Sequence, residues 1–306
     1  MMRKIALGKS DLHVSTIGLG CMRMAQLSVE EALEVIEEAL EVGINFFDHA
    51  DIYGKGESER IFGKALKRSG VKREDIILQS KCGIRSGFFD YSKDYILESV
   101  DGILERLDTD YLDVLLLHRP DALVEPEEVA AAFDQLKAEG KVRYFGISNS
   151  NPLQIELIQK YFSDPLVVNQ LQMSLAHTPL IDSGLHVNMK EEGGVNRDGE
   201  ILDYCRLHDI TIQPWSPFQI DLQKGIFLKN DSYKELNQCI SRVATKHGIS
   251  DEAVAIAWLL RHPANMQPII GSMNTERIKR IAEAAHVMIS RQEWYELYTS
   301  AGNTLP

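Results

Sequence analysis

Four side chains of this sequence have the types and spacing for proton-transfer chemistry: Asp48, Tyr53, Lys81 and His118. Each stands at or just past the end of a short apolar run, in INFFD, DIILQSK and YLDVLLLH, with the tyrosine in the ADIYG turn after the first run. A carboxylate, a phenol, an ammonium and an imidazole buried in one place cost several kcal/mol unless they pair with one another. Sequences keep such groups together mainly where protons must move.

A phenol alone, with a pKa of about 10, is a poor acid for a carbonyl at neutral pH. An adjacent ammonium stabilises the phenolate and lowers that value, and a carboxylate that holds the ammonium keeps it charged and in place. The imidazole can hydrogen-bond the substrate oxygen or relay the proton. Together the groups polarise a carbonyl and protonate the developing alkoxide. They contain no electron donor, so a hydride must come from a cofactor. Taken singly they say less: Asp48 reads as a turn carboxylate, His118 as a structural histidine, Tyr53 as a turn aromatic and Lys81 as a snorkelling lysine. Their recurrence at the ends of consecutive runs is what joins them.

The elements that must position this set alternate in type. A hairpin is expected in RKIALGKSDLHV, then a first strand near Ser15 to Leu19. Helices are expected at Ser28–Val42, with Ser28 and Glu31 in capping-box spacing and Gly43 as the stop, and at Glu57–Lys67, Tyr95–Leu107, Pro126–Ala138 and Pro152–Tyr161. Further helices are expected at Gly199–His208, Tyr233–His247, Asp251–Arg261 and from Asn274, with a last one in RQEWYELYTSAG. The runs INFFD, DIILQSK, YLDVLLLH, VRYFGISN, PLVVNQ, DITIQPWS and MQPIIGS read as strands between them. Eight strand-then-helix units over 306 residues, with no break in composition, predict a single domain over 1–306: an α/β (β/α)8 TIM barrel with an N-terminal β-hairpin. A doubly wound sheet would want GxGxxG at the first turn, and the chain offers only GLG at Gly18–Gly20. In such a barrel the strand exits share one rim, where Asp48, Lys81, His118, Ser148 with Asn149, Gln170, Trp215 with Ser216, and Gly271 with Ser272 all fall. Phe88, Phe89, Tyr91 and Phe218 are candidates to line an apolar pocket there. The stretch from VVNQ to Gly199, roughly thirty residues, is long enough for a lid over the same rim or for a solvated insertion.

The series FFDHADIYG, SKCGI, LLLHRPD, FGISNS, VVNQ, PWSPF and IIGSMNTERI resembles, in order and spacing, the motifs of the aldo-keto reductases, from Arg3 to the helix after Ser272. The resemblance implies NADPH-dependent reduction of an aldehyde or ketone, with NADPH (NADP+) expected ahead of NADH. It makes Tyr53 the proton donor, Lys81 its partner, Asp48 the anchor of that lysine and His118 the group that orients the carbonyl. Ser148, Asn149 and Gln170 match positions that hold the nicotinamide carboxamide, and Trp215 the aromatic beside the ring. Ser216, Pro217, Phe218 and Gln219 match the pyrophosphate loop, and Gly20, Cys21 and Met22 lie near the nicotinamide ribose. Ser272 and Arg277 match the pair at the adenosine 2′-phosphate, Asn274 would cap the helix aimed at it, and Gly271 stands where some members carry a lysine. Lys279 and Arg280 are the residues that could supply that charge instead.

A net charge of −12 argues against a sequence-independent grip on nucleic acid. Cys21, Cys82, Cys205 and Cys239 form no CxxC pair, and without HExxH, a close Cys/His cluster or paired carboxylates no metal is expected. The longest apolar stretch, VAIAWLL, is too short to cross a bilayer, and the start of the chain has no signal-peptide core. A cytoplasmic protein with reduced thiols and a small-molecule carbonyl substrate is the expectation, with oligomeric state left open. Two rival readings remain at this level: a redox-sensing NADPH-binding accessory protein on the same fold, and a barrel enzyme using Lys81 as a Schiff-base amine.

Overall fold

The computed structural model describes residues 2–221 and 223–306. Strands β1 (Lys4–Ala6) and β2 (His13–Ser15) form an antiparallel hairpin. There follow β3 (Gly18–Gly20), α1 (Val29–Glu41), β4 (Phe46–Asp48), α2 (Glu57–Ser69), β5 (Ile77–Cys82), α3 (Lys93–Leu107), β6 (Leu112–Leu117) and α4 (Pro126–Ala138). The chain continues through β7 (Val142–Ser148), α5 (Pro152–Gln159), β8 (Val168–Gln172), α6 (Pro179–Leu185), α7 (Ile201–Leu207) and β9 (Thr211–Trp215). A short antiparallel pair, β10 (Gln219–Asp221) and β11 (Gly225–Ile226), precedes α8 (Lys234–His247), α9 (Asp251–Arg261), β12 (Ile269–Ile270), α10 (Thr275–Ala282) and α11 (Arg291–Ser300). Strands β3 to β9 pair in parallel in chain order, and β12 pairs with both β9 and β3. Among the described residues these eight strands make the closed barrel expected from the alternation.

The period of two along each strand sorts residues to two sides. Phe46, Ile77, Val114, Leu116, Val168 and Ile269 face inward and meet Leu7, Leu12 and Val14 of the hairpin in one apolar cluster. The hairpin therefore plugs the floor of the barrel. Phe47, Leu78, Leu115, Leu117 and Ile147 face outward into the larger core shared with the helices. In the same alternation Gln79 and Lys81 follow Ile77 upward on β5, and His118 follows Leu116, so polar groups occupy the upper interior.

Local signals set most helix starts. The Ser28–Glu31, Asn151–Gln154 and Ser290–Glu293 pairs form reciprocal capping boxes on α1, α5 and α11, and Pro152 sits in the first turn of α5. Gly43 ends α1 with φ 88°, and a Cβ there would lie 2.6 Å from that of Met2.

Three expectations are corrected. Ser15 belongs to the hairpin, paired with Lys4, and the first barrel strand begins at Gly18. The Ser15 hydroxyl donates to the Ile17 carbonyl (2.7 Å) and Asn45 Oδ1 accepts from the Ser15 amide (2.8 Å), which turns the chain before the barrel starts. The MQPIIGS strand shrinks to two residues. The long stretch before Gly199 is not open loop: it contains α6 and a 3-10 turn at Glu192–Gly194. It folds onto α11 and the tail, with Tyr298 donating to Asp182 (2.7 Å) and His186 Nε2 3.1 Å from the Thr304 carbonyl oxygen. Among the described residues no helix is long and apolar enough to cross a membrane.

Candidate active site

Adjacent strands bring the tetrad together. Asp48 ends β4 opposite Gln79 of β5, and Lys81 lies two residues further along the same inner face. The chain beyond β4 keeps following β5: the His49 amide donates to the Gln79 carbonyl (2.8 Å) and the Asp51 amide to the Lys81 carbonyl (3.0 Å). It then turns through Gly54 (φ 59°), Lys55 (φ 58°) and Gly56 (φ 86°), a left-handed run that glycine eases, and this aims Tyr53 back over Lys81. A Cβ on Gly54 would meet that of Ala25 at 2.4 Å.

The Lys81 ammonium donates to both Asp48 oxygens (2.7 and 2.8 Å), to the His49 carbonyl (2.7 Å) and to the Tyr53 hydroxyl (3.3 Å). The His118 ring stands edge-on to the Tyr53 ring, centroids 6.1 Å apart, with its Nδ1 buried and unpartnered. All four expected catalytic candidates are thus within one cluster.

Burial alone would lower the Lys81 pKa, but the Asp48 carboxylate and the Tyr53 oxygen more than reverse this, and the lysine is held charged. Burial raises the Tyr53 phenol; the Lys81 charge and hydrogen bond pull it down without offsetting burial fully. The expected lowering of the phenol by lysine is therefore real as a contribution and reversed in sum. Burial first, then the Lys81 and Arg119 charges, depress His118 to about 2, so its imidazole is neutral. His49, beside Asp48, is fully buried against Phe62 with both ring nitrogens unpartnered and a pKa lowered to about 3 by burial and by Lys81. Among the described residues no group of acidic, histidine or cysteine side chains could hold a metal.

Beneath the tetrad lies a chain of buried amides in which Gln170, expected at this rim, is joined by Gln79, Gln213 and Gln267, which the sequence does not single out. Gln79 Nε2 donates to Asp48 Oδ1 (2.7 Å) and to Gln213 Oε1 (2.8 Å); Gln170 Nε2 donates to the same two oxygens (3.2 and 3.0 Å). Gln213 Nε2 donates to Gln267 Oε1 (2.8 Å), and Gln267 Nε2 to the Ser15 carbonyl (2.8 Å). A carboxylate at one end and a backbone carbonyl at the other accept only, so Gln79 and Gln170 each donate both ways from Nε2, while Gln213 and Gln267 pass the donation on toward Ser15. The Gln170 oxygen is left facing away from Asp48. The available signal was positional: Gln79 and Gln213 stand two residues before Lys81 and Trp215, on the inner face. A second buried set supports the turn from outside, where Glu59 accepts from Ser80 (2.7 Å) and Arg106 (2.7 Å).

The positions matched to a dinucleotide cluster on the same rim. Trp215 Nε1 donates to Asn149 Oδ1 (3.0 Å), Asn149 Nδ2 to Ser148 Oγ (2.7 Å), and Ser148 Oγ to the Gln170 carbonyl (2.9 Å). Asn149 and Ser216 both adopt positive φ, 56° and 53°. Pro217 follows Ser216 in the turn into β10, which the Gln219 amide closes by donating to the Ser216 carbonyl (2.9 Å). Arg277 lies over the Phe218 ring (5.0 Å to the centroid), and Asn274 caps α10 by accepting from the Arg277 amide (2.8 Å), while the Asn274 amide donates to Ser272 Oγ (3.2 Å). Gly20 ends β3, where a Cβ would stand 3.0 Å from Ile269, and one on Gly271 would stand 3.3 Å from Arg23. The Cys21 thiol is buried in the core, its amide donates to the Asp48 carbonyl and its carbonyl accepts from Ser58 and Met24, whereas the Met22 side chain is exposed.

The residues present fit a phosphate-bearing nicotinamide cofactor. Gln219 Oε1 is buried without a hydrogen-bond partner, and Arg277 Nε is buried with no hydrogen bond, its nearest carboxylate being Glu252 at 3.8 Å. Arg23, whose guanidinium donates to the Gly271 carbonyl (2.8 Å), adds a cation at this end that the sequence reading did not single out. Lys279 pairs with Glu38 (3.0 Å) and Arg280 with Glu252 (3.2 Å). Of the aromatic candidates, Phe88 and Phe89 are exposed, while Phe218 and Tyr91 are buried, Tyr91 with its hydroxyl donating to the Arg119 carbonyl.

A closed parallel barrel with a hairpin floor and a buried Asp–Lys–Tyr–His cluster at its carboxyl rim places the chain among the barrel oxidoreductases. It belongs to the Aldo/keto reductase family, whose family model matches residues 16–300. The chain is 36% identical over 315 residues to the 6-dehydroglucose reductase of Agrobacterium fabrum (strain C58), covering 98% of each chain. It is 34% identical over 314 residues to the oxidoreductase YdhF of Escherichia coli (strain K12), again covering 98% of each. Among solved structures, a thermostable aldo-keto reductase crystallised with the inhibitor epalrestat superposes with a TM-score of 0.79 at 25% identity, covering 98% of this chain and 100% of that one. The protein is thus an oxidoreductase with the fold and fittings for carbonyl reduction.

Proposed function

We propose that residues 1–306 form one reductase domain that reduces an aldehyde or ketone with NADPH, using Tyr53 as proton donor. The observation that carries this reading is the solvent-free contact of one ammonium, Lys81, with Asp48, Tyr53 and the His49 carbonyl. When bound, the nicotinamide supplies the hydride. Tyr53 donates its hydroxyl to the substrate carbonyl oxygen and gives up the proton as negative charge grows there. Lys81 stabilises the phenolate left behind, and Asp48 keeps Lys81 charged. Neutral His118 donates a ring N–H to the same oxygen without competing to protonate it. The outward oxygen of Gln170, with Ser148 and Asn149, orients the carboxamide, and Trp215 supports the ring.

Two other readings are disfavoured. A Schiff-base amine must lose its proton, and Asp48 holds Lys81 in the charged form. A redox-sensing accessory role finds no support in relatives named as reductases and oxidoreductases. The cofactor preference rests on Arg277 and Arg23; a cytoplasmic setting suits the free, buried cysteines. The first substrates to screen are sugar aldehydes, after the Agrobacterium enzyme's name.

The test is a titration with NADPH and NADH followed by tryptophan fluorescence, paired with Tyr53→Phe. Trp215 is at the rim, whereas Trp258 and Trp294 are buried, so a quench reports the site. NADPH binding with turnover lost in the variant supports the reading. No binding of either nucleotide sinks it.

A further inference from the structure

Arg119, next to His118 just past the end of β6, leans across the mouth of the barrel. Its carbon lies 5.6 Å from the centroid of the Trp215 ring on β9, three strands further round. Its main chain is fixed, because the Tyr91 hydroxyl donates to its carbonyl. Its side chain is not. Among the described residues no carboxylate and no other acceptor lies within hydrogen-bond distance of the guanidinium. The nearest acidic residue in sequence, Asp121, is consumed by the backbone amides of Tyr91 (3.1 Å) and Leu123 (2.8 Å). Arg85, on the preceding rim loop, is by contrast paired with Asp90 at 3.0 Å.

A half-buried guanidinium with five N–H donors and no acceptor is left short of hydrogen bonds that water or a ligand must supply. Burial lowers its pKa accordingly, and Tyr53 and Tyr91 are among the groups close enough to influence it. Its planar fork matches a carboxylate bidentately, as a hydroxyl cannot. The surface at large would not attract such a group, since the chain carries a net charge of −12. Stacking on Trp215 leaves all five N–H donors without an acceptor.

We infer that Arg119 is a specificity residue that binds a carboxylate on the substrate, so that the protein reduces carbonyl compounds bearing a carboxylate in preference to neutral ones of the same shape. This rests on the reductase reading and narrows it to acidic aldehydes or ketones.

The test compares 4-carboxybenzaldehyde with 4-carbamoylbenzaldehyde, near-isosteric and differing in charge, with NADPH and with wild type, Arg119→Met and Arg119→Lys. Wild type is expected to favour the carboxylate by roughly tenfold or more in kcat/KM, mainly through KM. In Arg119→Met that ratio collapses toward one, and Arg119→Lys retains part of it. NADPH affinity is measured alongside by fluorescence. Equal losses on both aldehydes in Arg119→Met, or no preference in wild type, overturn the inference while leaving the reductase intact. NADPH binding without reduction of either aldehyde, or of any sugar aldehyde, counts against the reductase reading itself, and the inference falls with it.

Discussion

Lys81 Nζ lies 2.7 and 2.8 Å from the two oxygens of Asp48, and the two side chains are 0% and 3% exposed. An ion pair this deep is a liability to either partner left alone. Asp48→Asn would strand the ammonium, at a cost of about 3–5 kcal/mol or the loss of its proton. The variant is expected to unfold at lower urea concentration and to lose turnover. Asp48→Asn combined with Lys81→Met removes both charges and should recover much of the stability without activity. If the double variant is no more stable than the single one, the pair is not what sets the cost.

The buried amide chain makes a second prediction. Gln213 Oε1 accepts from both Gln79 and Gln170, so it fixes which end of Gln170 faces Asp48. Gln213→Leu leaves Gln267 and Gln79 short of partners, which costs about 1–3 kcal/mol for each group left unsatisfied. It also frees Gln170 to turn. Under the proposed carboxamide contact, the preference for NADPH over its 3-acetylpyridine analogue, which lacks the amide N–H, should shrink. A variant that is destabilised but keeps the full preference would limit these glutamines to a structural role.

At the other end of the cleft, Arg277 stacks on Phe218 and has a buried Nε with no hydrogen bond, 3.8 Å from Glu252, with Arg23 the nearby second cation. Arg277→Ala should weaken NADPH binding roughly tenfold or more and NADH much less, because a hydrogen bond to a charged group contributes about 1.5–3 kcal/mol. Arg23→Ala should act in the same direction, less strongly. Dissociation constants for both nucleotides decide it, and equal weakening of the two would place the 2′-phosphate elsewhere.

Much of this is legible in the sequence. Polar residues closing apolar runs marked Asp48, Lys81 and His118, and capping chemistry marked α1 and α5 within a residue or two. What was hidden depends on neighbours far apart in sequence. Gln79, Gln213 and Gln267 look like ordinary polar alternation until β5, β9 and the approach to β12 face one another. Arg119 meets Trp215 only across the closed barrel. The β10–β11 hairpin has no alternating run to announce it, and β12 spans only Ile269–Ile270, although Gln267 and Pro268 before it still bond to Ile212 and Gly18. The net rise of the Tyr53 pKa also needed burial, which motif reading does not supply.

The histidines make the last prediction, on pH. Burial is the leading cause in each case: His118 is depressed to about 2, His49 to about 3 and His262 to about 4. In the unfolded chain each imidazole titrates at about 6.5. Between those values the unfolded state binds more protons than the native one, so stability rises with pH and falls as pH drops below about 6.5. Each fully depressed imidazole contributes a slope approaching roughly 1.4 kcal/mol per pH unit in that window. Urea midpoints should therefore decline steadily from pH 7 to pH 5, with most of the change beginning near pH 6.5. His49→Asn, which cannot charge on unfolding, should flatten the decline by about one imidazole's share. Over the same range kcat/KM of the still-folded enzyme should show no inflection from His118, which is neutral throughout. An inflection near pH 6.5 that disappears in His118→Gln would mean that the imidazole is protonated in the active site, and the neutral-donor role would be wrong.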